Sequence, residues 1–259
     1  MKIKNLVPAL LMILYAVHAQ AQNQHYTKLE LKPKEVFIVG PGNVLLVDTL
    51  IMHDKATIKF SPSSPGTLKA NVAYIGSKCT ISSRGEDGLH TRKNRPGTRG
   101  SNGGDLDITM HFQELSSLLI DTQGGTGGNG LHGKNGRPGT PDRNEKRIVK
   151  GNKGVDIVTY ELVPGIPGTD GKNATQGYIG GNGGNITFTY STAAFIPVFN
   201  HANAPHSITL LHTVGDTGKD GTPGKGGFNS KDGELILEKK PQATDGQIRL
   251  VNANYTARP

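Results

Sequence analysis

The sequence predicts an all-β protein, a β-solenoid of the parallel β-helix kind or a small sandwich, carrying four glycine-rich tracts in polyproline II conformation. Three observations predict it. Glycine is 36 of the 259 residues, about twice the usual share of roughly 7%, and most of it falls on every third position of four short tracts. Between the tracts, apolar and polar residues alternate, the period of a half-buried strand. No long helical pattern occurs. Apolar residues make up 34% of the chain and aromatics 5%, with no Trp. That is too few to fill the core of a dense α/β enzyme, while the glycine share is far below the one-third of a collagen.

The chain opens with Lys2 and Lys4, then the apolar run LVPALLMILYAV and the small-residue sequence Ala19-Gln20-Ala21. This order of charge, apolar stretch and A-x-A site is that of a secretory signal peptide, expected over residues 1–21. Its twelve apolar residues are short of the roughly 20 needed to span a bilayer, and the mature chain is expected to have no transmembrane span. The expected location is secreted or at the cell surface, which argues against an intracellular nucleic-acid partner. The single cysteine, Cys79, excludes an internal disulfide framework. It lies in an apolar-alternating stretch and reads as a small buried residue.

Residues 22–84 form the expected N-terminal β region. Val44–Asp48, Ala56–Phe60 and Val72–Ser82 read as strands with Pro/Gly turns between them. Ala73–Ser82 has the pattern of a parallel β-helix rung, with short strands meeting at Gly or Ser corners.

Residues 85–233 are the expected strand and glycine-tract repeats. In the first tract the three-residue lattice holds Gly85, Gly88, Gly97, Gly100 and Gly103, interrupted by Thr91 and Asn94. The second holds Gly124, Gly127, Gly130, Gly133, Gly136 and Gly139 without a break. The third holds Gly165, Gly168, Gly171, Gly177, Gly180 and Gly183, with Ala174 as the exception. The fourth holds Gly215, Gly218, Gly221, Gly224 and Gly227. Each tract also carries one x-Pro-Gly, ending at Gly97, Gly139, Gly168 and Gly224.

Polyproline II has three residues per turn and no internal hydrogen bonds. Glycine at every third position therefore lines one edge and lets another backbone approach. The unpaired N–H and C=O groups then need partners in neighbouring segments or in water. In this periodicity the tracts resemble the collagen-like Gly-x-x repeat proteins of bacterial surfaces. They depart from that pattern in having five to seven triplets each, one x-Pro-Gly per tract, and strand-like sequence between them. In pattern they are also similar to the glycine-rich polyproline II bundles of some phage fibre-tip adhesins and arthropod antifreeze proteins. Three arrangements follow: a packed bundle within one chain, flexible loops, or a collagen-like helix between chains.

The intervening strands are Leu106–Phe112, Leu118–Thr122, Val155–Leu162, Asn185–Tyr190 and Ser207–Val214. Leu235–Leu237 and Gln247–Val251 follow, within an expected C-terminal region of strands and tail at 234–259.

Catalytic constellations are not evident. The histidines form neither H-x-x-x-H nor H-E-x-x-H; Gly88-Leu89-His90 and Gly130-Leu131-His132 echo each other as a consequence of tract similarity. Asp105 and Asp107 share a strand face, and Asp121 stands alone. Asp216, Asp220 and Asp232 offer scattered oxygen ligands. No metal site and no cofactor are expected. Basic residues do cluster: the formal charge is +8, and Arg92, Lys93, Arg95 and Arg99 of the first tract with Lys134 and Arg137 of the second are candidate contacts for an extracellular polyanion. The expected role is that of a non-catalytic structural or adhesion protein whose glycine-tract surface mediates self-association or binds glycans or other polyanions. The alternative is a carbohydrate-active β-helix enzyme of the lyase or hydrolase type.

Overall fold

The computed structural model describes residues 24–92, 95–151, 154, 156–201 and 204–256. The expected signal peptide and Lys93 lie outside them. The fold is all-β, and its base is a two-sheeted parallel coil. The chain runs β1 (Gln24–Leu31), β2 (Val36–Ile38), β3 (Val44–Met52), β4 (Thr57–Lys59), β5 (Gly66–Ile75), β6 (Cys79–Ser82), β7 (Leu106–Leu115) and β8 (Ser117–Asp121). It continues through β9 (Arg143–Lys150), β10 (Asp156–Val163), β11 (Ala174–Thr175), β12 (Ile186–Thr192), β13 (Val198–Phe199), β14 (Ser207–Leu211), β15 (Leu235–Ile236) and β16 (Ile248–Asn252). From β1 to β8 successive strands alternate between two six-stranded sheets, ordered β1-β3-β5-β7-β12-β16 and β2-β4-β6-β8-β14-β13, while β9 pairs with β10 and β11 with β15 outside them.

Parallel registration stacks like on like. Leu45, Leu68, Ile108 and Phe188 are register partners across four strands of the first sheet. Ile58, Ile81, Ile120 and Leu210 do the same in the second. These eight side chains are buried together between the sheets, each stabilising by about 1.5–3 kcal/mol over exposure. The alternation read from sequence fixes which face is inward, because a one-residue slip would turn every one of them to solvent. Cys79 belongs to this core; its Sγ donates to His53 O at 3.2 Å, and burial pushes its thiol up from the ordinary range.

Three excursions leave this coil, after β6, β8 and β14, and each re-enters the first sheet at β7, β12 and β16. Each is a hairpin of two extended arms, giving six: arm I (85–91) and arm II (97–104), arm III (123–139) and arm IV (165–184), arm V (213–227) and arm VI (228–247). Arms I, III and V run parallel to one another. Gly85, Gly88 and Thr91 donate N–H to the carbonyls of Gln123, Thr126 and Asn129. Gly124, Gly127, Gly130, Gly133 and Gly136 donate to Thr213, Asp216, Lys219, Thr222 and Lys225. Arms II, IV and VI form the second layer, with Gly100 and Gly103 donating to Ile179 and Asn182, and Gly168 and Gly171 to Phe228 and Lys231. Between layers the pairing is antiparallel, as in Gly215, Gly218, Gly221, Gly224 and Gly227 to Gly181, Tyr178, Thr175, Lys172 and Thr169. The constant step of three is that of polyproline II. Of the three arrangements open from sequence, the chain adopts the intramolecular bundle.

The number of neighbours sets the number of glycines per turn. Arms III and IV lie in the middle of the bundle, and where arms I and II cover them they carry a second glycine column: Gly125 and Gly128, Gly181 and Gly184. A Cβ at Gly125 or Gly128 would fall inside 3.0 Å of the Glu86 or Leu89 carbonyl, and one at Gly181 inside 3.0 Å of the Ser101 carbonyl. Arms I and II then end in a reversal, where Arg92 and Arg95 exchange both backbone hydrogen bonds (2.9 and 3.1 Å). The Thr91 interruption of the lattice is part of this reversal, its hydroxyl accepting the Gly97 N–H at 3.0 Å. Past it, the same column of arm III reads Leu131, Lys134 and Arg137.

Candidate polyanion-binding face

Side chains complete the hydrogen bonding of the bundle. In arm III, the N–H groups of Thr126 and Asn129 donate to Asp87 Oδ1 (2.8 Å) and His90 Nδ1 (3.0 Å) of arm I. In arm V, those of Lys219, Thr222 and Lys225 donate to Asn129 Oδ1, His132 Nδ1 and Asn135 Oδ1 of arm III. In arm VI, those of Lys231 and Glu234 donate to Asp170 Oδ1 and Asn173 Oδ1 of arm IV. Each acceptor is the short side chain one column away from the glycine edge. The echoed His90 and His132 are thus equivalent rungs of one ladder, and each Nδ1 must keep its lone pair to accept. The carboxylates singled out from sequence are largely spent in the same way: Asp105 Oδ1 accepts from Asn185 N–H, Asp121 Oδ1 from Gln123 N–H, Asp220 Oδ1 from Gly177 N–H and Asp232 Oδ1 from Gly226 N–H. Among the described residues no group of three or more His, Cys, Asp or Glu side chains could hold a metal ion.

Prolines follow the same logic. Pro138 continues the column of Thr126 and Asn129, and Pro167 the column of Asn182 and Asn185, whose N–H groups bond side chains of arms I and II. Both prolines lie beyond the Arg92–Arg95 reversal, where those arms no longer run alongside, so the missing N–H forfeits no bond.

The shortness of the first hairpin creates a step. Beyond it, arms III and IV lie side by side with one flank uncovered. Lys134 and Arg137 are exposed on the arm III column that carries Gly125 and Gly128 lower down. On arm IV, the column of Gly181 continues as Tyr178, Thr175, Lys172 and Thr169. Lys172 N–H donates to Lys134 O at 2.8 Å, which sets the two lysines opposite each other. The hydroxyls of Thr175 and Thr169 accept the N–H of Leu131 (2.7 Å) and Arg137 (2.8 Å). The Tyr178 ring is the riser of the step: Gly97 abuts it so closely that a Cβ there would fall inside 3.0 Å of the ring. Lys240 Nζ lies over the same ring, 5.2 Å from the centroid, and also donates to Gly177 O, a cation–π arrangement.

The step is therefore rimmed by Arg92 and Arg95, both exposed, and floored by Lys134, Arg137 and Lys172. Asp170 and Asp142, the carboxylates nearest in sequence, bond Lys231 N–H (2.9 Å) and Gly165 N–H (2.6 Å) instead of the cations. Of the residues chosen from sequence, Arg92, Arg95, Lys134 and Arg137 belong to this region. Arg99 is set apart on arm II, its Nη2 3.3 Å from Asn102 Oδ1. Lys172 was not singled out, because only the antiparallel register of arms III and IV brings it to Lys134; Tyr178 and Lys240 were missed for the same reason. No helix of the described residues is long and apolar enough to cross a membrane. No family model, curated protein or solved structure matches this chain.

Proposed function

We propose that the protein is an exported, non-catalytic binding scaffold whose glycine bundle holds a cationic step for an extracellular polyanion, an acidic glycan being the chemical class that suits it. The observation that carries this is the convergence of Lys134, Arg137 and Lys172 from two antiparallel arms beside the Arg92–Arg95 reversal. These cations stand on backbone held by hydrogen bonds on both sides, so the charges share a rigid base. Threonine hydroxyls between them fit a hydroxylated, carboxylated or sulfated chain. Export is supported by the leader-like order of residues 1–21, and the non-catalytic reading by the use of the carboxylates as backbone acceptors.

The test is binding of a polyuronate and of a neutral glucan to the secreted chain. The polyuronate is expected to bind at low ionic strength and to be released at about 1 M salt, where the screening length is about 3 Å. The double substitution Lys134→Glu with Lys172→Glu is expected to weaken binding at least tenfold without changing the melting temperature. Equal binding of the neutral glucan, or an unchanged affinity in the double variant, would sink the proposal.

A further inference from the structure

We infer that the β9–β10 ribbon is a dimerisation element, pairing its β10 edge with the β10 edge of a second copy of this chain. This goes beyond the polyanion reading and does not rest on it. The ribbon caps the second hairpin, between arms III and IV. Its eight cross-strand pairs run from Asp156↔Lys150 to Val163↔Arg143. Every residue of both strands except Val163 is exposed. Ile148, Val149, Ile157, Val158, Tyr160 and Leu162 are 45–70% exposed. A lone two-stranded ribbon is marginal in water and gains independent stability at three or more strands. Open edges flanked by apolar side chains are templates for further pairing.

The two edges differ in what they can accept. Across a two-fold axis normal to the sheet, antiparallel neighbours must share a face, so the axis passes through a residue. Centred on Tyr160, β10 places Val158 opposite Leu162 of the second copy, Ile157 opposite Val163, Thr159 opposite Glu161, and Tyr160 opposite itself. All but one of these are apolar or aromatic pairs, and none sets like charges together. Strand β9 has no such register that pairs more than three of its residues. Centred on Glu145 it opposes Arg143 to Arg147; on Lys146 or Arg147 it opposes that residue to itself; on Ile148 it opposes Lys146 to Lys150. Like charges directly opposite destabilise a sheet. The β10 edge is therefore the self-complementary one, and an isologous contact closes at two copies. The resulting sheet, ordered β9-β10-β10-β9, would gather Ile148, Val158, Tyr160 and Leu162 from both copies on one face.

The test is the mass of the full secreted chain in solution, by sedimentation equilibrium, alongside Tyr160→Lys. The wild type is expected at twice the chain mass and Tyr160→Lys at the chain mass, with equal melting temperatures for the bundle and coil. Cysteine trapping fixes the register: under mild oxidation Tyr160→Cys is expected to yield a covalent dimer and Arg147→Cys a monomer, Cys79 being buried. A wild type that is monomeric at its highest soluble concentration, a dimer that survives Tyr160→Lys, or cross-linking at 147 in place of 160 would each overturn the inference.

Discussion

The coil and the bundle solve the same problem with opposite materials. The coil removes side chains from water: Phe112 and Phe188 meet edge-on at 6.2 Å between its sheets, and the core beneath is continuous. The bundle has almost no side chains to remove, and what it brings together is peptide backbone. In the coil, an interior position is one that carries bulk. In the bundle, an interior position is one that lacks it. A low apolar content is therefore no sign of a loose fold when part of the interior is main chain.

The comparison predicts opposite responses to volume. Ile58→Ala, which empties space in the coil, is expected to cost about 2–5 kcal/mol. Gly128→Ala, which adds a single methyl against the Leu89 carbonyl, is expected to cost about 3 kcal/mol, at the upper end of what overpacking does. Gly154 has nothing within 4 Å of its added Cβ and a φ of 75°, so Gly154→Ala is expected to cost only the local strain, about 1 kcal/mol. Denaturant unfolding of the three variants measures this. A Gly128→Ala protein as stable as wild type would mean that the arms are not packed.

A smaller effect tests the side-chain ladder. His90→Leu removes the acceptor for Asn129 N–H and is expected to cost about 1 kcal/mol. His90→Asn is expected to be nearly neutral, because Asn does the same work at 129 and 135. Amide exchange at Asn129 distinguishes them, with faster exchange in the leucine variant alone.

The smallest effect belongs to the coil. Burial raises the Asp121 carboxyl above its ordinary 3.8, opposed by the Gln123 N–H and the Arg84 charge. In the window from 3.8 up to that raised value the folded state binds more protons than the unfolded one. Stability from this group therefore falls as pH rises through the window. Asp121→Asn keeps an oxygen for Gln123 N–H, so a slightly higher melting temperature is expected at neutral pH, with the advantage gone below pH 3.8. A lower melting temperature at pH 7 would show that the charge is favourable where it sits.

Much of this fold was legible in the sequence, since strand alternation and the three-residue lattice are both local patterns. Strands β7, β8, β12 and β14 fall where Leu106, Leu118, Ile186 and Ile208 begin alternating runs. What was hidden depends on who neighbours whom. The second column, Gly125 with Gly128 and Gly181 with Gly184, holds only two glycines on each arm and makes sense only once arms I and II lie over arms III and IV. Arm VI is poor in glycine because, past Phe228, whose N–H bonds Pro138 O of arm III, its glycines abut arm IV, at the carbonyls of Lys172 and Gly184, so a search for the lattice ends at Gly227. Strand β9 is too rich in Arg and Lys to read as a strand and is one by virtue of pairing with β10. Of the candidate site, the arginines of the reversal were visible as a cluster, whereas Lys172 joins Lys134 through pairing at a separation of 38 residues.

The pairing of arms in units of three makes the bundle tolerant of length change only in whole steps. Adding one triplet to each arm of the first hairpin would advance its end by about 9 Å along the second, covering Leu131 and requiring glycine in its place. Removing one would bare a further turn, with Gly128 free to become a long side chain. The reach of the exposed surface is thus written as an integer in the gap between two strands, adjustable by small in-frame insertions without redesign of the coil beneath.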